Sequence, residues 1–284
     1  MINEQHLLNY PIPEIRQTLR WQDVALYNLS VGLGQDPMDK AQLPYTYEPQ
    51  MTALPSMPVV LGYPGFWLKA PDTGVDWVKV VHGEQSLILH RPVPVSGEII
   101  GRSSVTGIVD RGPGKGALIY SDRVVLDAAT GEKIATLEST TFARGDGGFG
   151  GKPGPVKPPH PEPEGAPEIT CDLATRPEQA AYYRLNGDFN PLHIDPDVAT
   201  KAGFPRPILH GLCTFGVVCH ALLREMCGYD AARFGRMDLR FSSPVYPGET
   251  IRTEIWREEG GAAFRARVVE RDIVVVSNGR FRFA

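Results

Sequence analysis

Eight stretches of the chain carry the β-branched and alternating apolar residues of strands. In the first half they are Leu87–Leu89, Ile99–Val109, Ala117–Leu126 and Lys133–Phe142. In the second they are Met237–Phe241, Thr250–Trp256, Ala262–Glu270 and Ile273–Phe283. A different period links Leu212, Phe215, Val218, Cys219, Leu222, Leu223 and Met226, which share the spacing of a helix face. Gly211, Gly216, Val217 and Ala221 keep the other faces small or apolar, so this helix is predicted to be buried on all sides. A long buried helix followed by four antiparallel strands predicts a sheet wrapped around a helix, an α+β arrangement. The first half offers only Met57–Gly62 at the equivalent place, cut short by Pro64 and Gly65, so its helix is expected to be short or broken.

Between Gly145 and Pro167, seven glycines and seven prolines fall within 23 residues, a composition that holds neither a helix nor an inner strand. It divides the 284 residues into a first unit of residues 1–144, a linker of 145–168 and a second unit of 169–284. Short matches recur in order: Tyr27-Asn28-Leu29 with Tyr183-Arg184-Leu185, Pro92-Val93 with Pro244-Val245, and Gly97-Glu98 with Gly248-Glu249. Their offsets of 156, 152 and 151 drift as small insertions would make them, which argues for one unit of roughly 150 residues used twice. Composition agrees, since 42% hydrophobic and 22% charged residues suit a globular protein, and 30 glycines with 26 prolines suit short strands and turns.

With 29 basic and 33 acidic residues the formal charge is −4, so no overall positive field draws nucleic acid or an anionic membrane. A phosphate-bearing ligand must then meet a local basic patch. Ile208–Cys227 is the longest apolar-rich stretch, but His210, His220, Arg224 and Glu225 interrupt it, and no membrane insertion is expected. Met1–Tyr10 lacks the basic start and apolar run of a secretory signal, and Arg282-Phe283-Ala284 is not a peroxisomal tripeptide, so a cytoplasmic location is expected. Cys171, Cys213, Cys219 and Cys227 form no C-x-x-C pair and read as reduced buried thiols. Zinc held by His210, Cys213, Cys219 and His220 is disfavoured because adjacent residues diverge on a helix, and no metal is expected. Gly145-Asp146-Gly147-Gly148-Phe149-Gly150 has the spacing of a dinucleotide loop, yet Lys152-Pro153-Gly154-Pro155 stands where a helix is required, and no nucleotide cofactor is expected.

Chemistry concentrates in the run from Tyr183 to His193. On a continuous helix Asp188 and His193 would point about 140° apart. Pro191 takes Asn190 out of the helical region and Gly187 permits a tight bend, so an irregular loop is predicted in which Asp188, Asn190 and His193 converge. A carboxylate, an amide and an imidazole around one point can hold a water and move its protons. Taken singly, Asp188 or Asn190 also suits a helix cap, and His193 a structural histidine. A calcium loop would need glycine and glutamate where His193 and Ala199 stand. Gly211 opens the buried helix, where free N–H groups point at a ligand, although a glycine there also suits helix packing.

Tyr183-Arg184-Leu185-Asn186-Gly187-Asp188-Phe189-Asn190-Pro191-Leu192-His193 resembles the hydratase 2 motif of the MaoC-like family, R-specific enoyl-CoA hydratases of hot dog fold. His82-Gly83-Glu84-Gln85, the glycines of 147–151, His210-Gly211 and Arg240-Phe241 extend the resemblance, to the two-repeat form, over nearly the whole chain. It implies a double hot dog and the reversible hydration of a trans-2-enoyl-CoA to a (3R)-3-hydroxyacyl-CoA, with CoA as part of the substrate and no separate cofactor. It implies Asp188 and His193 as the acid/base pair, Asn190 as an orienting group and the Gly211 amide as donor to the thioester oxygen. It sets His82, Gly83, Lys115 and Phe241 against the substrate or its CoA, while Lys115 also suits a solvated hairpin tip and Phe241 a packed strand. Hot dog relatives imply a homodimer.

At the offset of 156, Gly32, Gly34 and Pro37 stand opposite Asp188, Asn190 and His193, so the first half carries no acid/base pair. Gln50–Phe66 is expected to help line a pocket for the acyl chain. Two alternatives share the fold: a dehydratase acting on acyl-carrier-protein thioesters, and a non-catalytic acyl-CoA-binding protein, which would not need Asp188, Asn190 and His193 intact.

Overall fold

The computed structural model describes residues 1–284. The first half contains α1 (Glu4–Leu8), β1 (Ile15–Leu19), α2 (Trp21–Ser30), β2 (Val80–Leu89), β3 (Gly97–Asp110), β4 (Ala117–Asp127) and β5 (Lys133–Ala143). The second contains β6 (Ile169–Ala174), α3 (Gln179–Tyr183), α4 (Pro196–Lys201), α5 (Gly211–Cys227), β7 (Phe234–Phe241), β8 (Thr250–Glu258), β9 (Gly261–Val268) and β10 (Ile273–Phe283). All eight expected strands form. Each half has one more, because β1 and β6 are short strands at the ends of the sheet, and their burial alternates too briefly to stand out in the sequence.

The ten strands make one antiparallel sheet in the order β1-β3-β4-β5-β2-β7-β10-β9-β8-β6. Matching each strand to the one five places later gives the same order from either end, so one topology is used twice about an axis between β2 and β7. A ladder from Glu84 opposite Arg240 to Ile88 opposite Arg236 closes that seam. The Arg240 guanidinium reinforces it by donating to the Glu84 carboxylate at 2.6 Å.

α5 is the buried helix, with Phe215, Val218, Cys219, Leu222 and Leu223 sealed from solvent, and it ends at Gly228 in the left-handed conformation, φ 62°. Gly216 lets the end of α2 approach, since a Cβ there would lie 2.4 Å from Val31 Cγ1. Core residues from both halves form one cluster around this helix. The first half has no such helix. Met57–Val60 makes a single 3₁₀ turn, after which Gly62 and Gly101 touch so closely that a Cβ on Gly101 would lie 2.1 Å from the Gly62 oxygen.

Residues 145–168 hold no regular element. The glycine run that imitates a dinucleotide loop does cradle an anion, but the anion is the chain's own Asp110. Its Oδ1 accepts from Gly112 and Gly148 at 2.9 and 2.7 Å, and its Oδ2 from Gly150 and Gly151 at 2.9 and 3.2 Å. These N–H groups, Gly148 foremost, hold the Asp110 carboxyl below its usual range. The four cysteines are buried and unpaired; the Cys213 thiol donates to the Ser30 carbonyl at 3.4 Å, and His220 Nε2 meets the Tyr229 hydroxyl at 3.0 Å. No helix is long and apolar enough to cross a membrane.

Candidate active site

The loop after α3 bends as its residues require. Gly187 takes φ 111°, which a side chain would resist, and Pro191 opens a single turn over Pro191–His193. Asp188 Oδ1 accepts from the Asn190 N–H at 3.2 Å, and Asn190 Oδ1 accepts from the Leu192 N–H at 3.1 Å. Asp195 then caps α4 by accepting from Asp197 and Val198. The loop thus brings Asp188 and His193 together. Asn190 is exposed and its oxygen accepts one bond from the turn, which leaves its Nδ2 free to donate to another partner.

A residue that the sequence reading did not place in the site completes the group. The ligating atoms of Asp188, His193 and His210 lie within 4.8 Å of one another. His193 and His210 stack with ring centroids 3.8 Å apart and planes at 30°. His193 Nδ1 lies 2.9 Å from the Ile208 carbonyl, which only accepts, so the proton sits on Nδ1 and Nε2 keeps its lone pair. By the same reasoning His210 Nε2 donates to the Asp188 carbonyl at 3.2 Å. Its Nδ1 is buried with no partner, as is the Tyr183 hydroxyl, whose ring lies 5.0 Å from His210. Buried orphans of this kind ask for a ligand or a water.

Burial pushes the His193 imidazole down. Burial first, and His193 beside it second, push His210 down to about 4. Two stacked imidazoles that resist a charge leave neutral nitrogens beside one carboxylate at neutral pH. Two imidazoles and a carboxylate this close have the donor set of a divalent-cation site, and each ring, with one N–H held by a backbone carbonyl, keeps the lone pair of its other nitrogen.

α5 begins at this spot. No side chain caps it, and Gly211 is its first residue, so the positive end of the helix opens beside the histidines. Phe241, at the end of β7, closes the other side, 3.5 Å from where a Gly211 Cβ would stand. Its ring meets His82 of β2 edge-on with centroids 5.0 Å apart, so the wall of the site crosses the seam into the first half. His82 Nε2 donates to the Glu84 carbonyl at 3.1 Å, and burial pushes the ring down to about 4. Gly83 sits where the β2–β5 register shifts, and a Cβ there would lie 3.1 Å from the Thr140 oxygen. Lys115 is exposed on the β3–β4 hairpin. Ala117 and Val80 both pair with Ala143, which puts that hairpin at the same end of the sheet as His82.

The family described as MaoC like domain matches residues 158–278, and the MFE-2 hydratase 2 N-terminal domain matches residues 18–145. The chain is 35% identical to the peroxisomal enoyl-CoA hydratase 2 of Arabidopsis thaliana, over 97% of this chain and 94% of that protein. It is 40% identical to 3-hydroxyacyl-thioester dehydratase Y of Mycobacterium tuberculosis, over 88% of this chain and 87% of that protein. The crystal structure of a MaoC-like dehydratase from Phytophthora capsici superposes with a TM-score of 0.88 at 36% identity, covering 100% of this chain and 98% of that one. A conserved hypothetical protein of Mycobacterium tuberculosis with a double hotdog fold superposes at 0.56 and 15% identity, covering 96% and 93%, which shows the fold alone.

Proposed function

The chain belongs to the MaoC-like hydratase 2 family, and on that premise we propose that it hydrates trans-2-enoyl-CoA reversibly to (3R)-3-hydroxyacyl-CoA. The observation that carries this reading is the meeting of Asp188, His193 and His210 within 4.8 Å beside the uncapped start of α5. Water would sit between the Asp188 carboxylate and His193 Nε2. As its oxygen attacks C3, Nε2 takes a proton, and electron density moves through C2 to the thioester oxygen. The Gly211 N–H and the positive helix end meet that developing charge. The proton held by His193 is then available to C2, so one molecule of water is added and the site returns to its starting state. Asn190 orients the water through Nδ2, and Lys115 meets the phosphates of CoA, whose end of the sheet it shares.

The first half supplies room rather than chemistry in this proposal. Residues 1–144 accommodate the acyl chain, residues 145–168 link the two, and residues 169–284 carry the catalytic loop. Gly34, opposite Asn190 in the repeat, spends its N–H on Gln42 Oε1 at 2.8 Å, and the 3₁₀ turn of Met57–Val60 stands where a long helix would fill the sheet. The same site run backwards is a dehydratase. The likeness to 3-hydroxyacyl-thioester dehydratase Y favours that as a second reading, with acyl-carrier-protein thioesters as the alternative carrier. A homodimer in the cytoplasm completes the proposal, and its mass in solution tests the first part.

Hydration of crotonyl-CoA and of 2-decenoyl-CoA, followed by loss of enoyl-thioester absorbance and coupled to R- and S-specific dehydrogenases, tests the reading. We expect R product, and a fall in kcat of at least ~10² for D188N and for H193Q. S product, or near-parental rates in both variants, would overturn it.

A further inference from the structure

The core-facing side of the sheet differs between the halves. On β9, Ala262, Phe264, Ala266 and Val268 are sealed in the shared core. On β4, Ala117, Ile119 and Val125 mark the core-facing side, and strand alternation puts Ser121 and Arg123 on that side with them. Asp122 and Glu138 lie on the opposite face, where Lys157 of the linker meets Glu138 at 3.4 Å. Ser139 of β5 joins the inner group, with its hydroxyl 2.9 Å from that of Ser121. These inner residues are only half-buried, because a single 3₁₀ turn lies over them instead of a helix.

A charge on the core side of a sheet normally has a counter-charge. Arg123 makes no ion pair. Its Nη2 donates to the Val59 carbonyl at 2.5 Å, its guanidinium lies 5.2 Å from the centre of the Tyr63 ring, and its Nε is buried with no acceptor. Burial pushes this guanidinium down to about 10. Holding the Val59 carbonyl asks only for a donor, which a neutral amide would supply, so beyond its contact with the Tyr63 ring the positive charge has no partner.

Its position suggests one. Ile119 lies in register with Thr141, and Thr141 with His82, so that row belongs to the wall of the proposed active site. The Arg123 Cα is four residues further along β4, about 13 Å at ~3.3 Å per residue, and its side chain carries the charge from there to the Tyr63 ring. That is the length scale of a medium acyl chain running from the reacting carbons into the first half.

Resting on the enoyl-CoA reading above, we propose that Arg123 determines specificity by receiving a carboxylate at the far end of the acyl group. The favoured substrates are then CoA monothioesters of medium-chain 2-enedioic acids. A guanidinium with spare donors pairs with a carboxylate in two parallel hydrogen bonds. The neighbouring Ser121 and Ser139 hydroxyls add polar lining that a plain alkyl chain would not call for.

The test compares the CoA monothioester of dec-2-enedioic acid with 2-decenoyl-CoA and crotonyl-CoA, using the parent protein, R123Q and R123K. The parent should favour the carboxylated substrate over 2-decenoyl-CoA by at least ~10-fold in kcat/KM. R123Q should lose about 30-fold or more on that substrate, mainly through KM, as when one partner of a buried charge pair is removed. Crotonyl-CoA, too short to reach Arg123, should turn over unchanged, and R123K should keep part of the preference. Calorimetric binding of decanedioyl-CoA against decanoyl-CoA reads the same pairing without turnover, and its outcome in the parent needs no variant to fold. No preference in the parent, or equal losses on all substrates in R123Q, overturns the proposal and leaves Arg123 as an anchor for Val59. Failure to hydrate crotonyl-CoA at all would instead defeat the hydratase reading.

Discussion

Replacing Gly211 by proline should delete one hydrogen-bond donor and little else. Gly211 is the first residue of α5, where an N–H has no partner inside the helix, and proline is favoured there because its fixed φ suits the first turn. Proline also restricts the preceding residue to extended backbone, and His210 already sits at φ −57°, ψ 136°. A Cβ at position 211 meets nothing nearer than Phe241 Cε1 at 3.5 Å, an ordinary contact. The helix should therefore survive, with a melting temperature within a few degrees of the parent. If the Gly211 amide holds the enolate oxygen, its loss should cost about 2.7–4 kcal/mol in the transition state, or ~10²–10³ in kcat. G211A is the control, because it adds the Cβ, keeps the N–H and gains at most about 1 kcal/mol of helix propensity. The assay is kcat and KM on crotonyl-CoA for the three proteins, beside thermal melting. G211P with the kcat of G211A would refute the assignment of the amide. G211A as inactive as G211P would refute it too, by showing that open space rather than the donor is what glycine supplies.

The pH profile of kcat/KM should rise along a single acid limb set by His193 and lie below pH ~6.5, because burial lowers that imidazole and it must be neutral to accept a proton; a limb above that value would contradict the assignment. Stability should be flat above pH ~6.5 and fall from there toward pH 4, because the unfolded chain takes up protons that His210 and His220, both pushed down to about 4, refuse when folded. Thermal melting across that window checks the sign. G216A should destabilise by up to about 2 kcal/mol in urea, since the ~1–3 kcal/mol of crowding against Val31, 2.4 Å from the new Cβ, exceeds the ~1 kcal/mol gained in helix propensity. An equally stable G216A would mean that the end of α2 gives way freely. D110A should orphan four N–H groups and speed proteolytic cleavage within residues 145–168; unchanged cleavage would show that other contacts hold the linker.

What the chain reveals by pattern and what it hides divide along physical lines. Long strands with one buried face show their alternation, and α5 shows itself because burial on every side leaves it no polar stripe. β1 and β6 pair along one edge only, and a few residues of half-burial carry no period. Asp188 and His193 are legible because a loop broken by Gly187 and Pro191 leaves few ways for them to diverge. His210 is not, since its place depends on stacking against a ring 17 positions earlier and on a bond to the Asp188 carbonyl. Arg123 reads locally as one more polar strand residue, and only the ladder shows which rows of the neighbouring strands it joins. The hidden residues share a property: their neighbours come from across a turn, a seam or the other half. The acid/base residues proposed here all belong to the second copy, yet His82, which walls them in, comes from β2 of the first. Residues 169–284 would thus keep every proposed proton carrier and lose one side of the proposed site, which the sheet joined between β2 and β7 supplies.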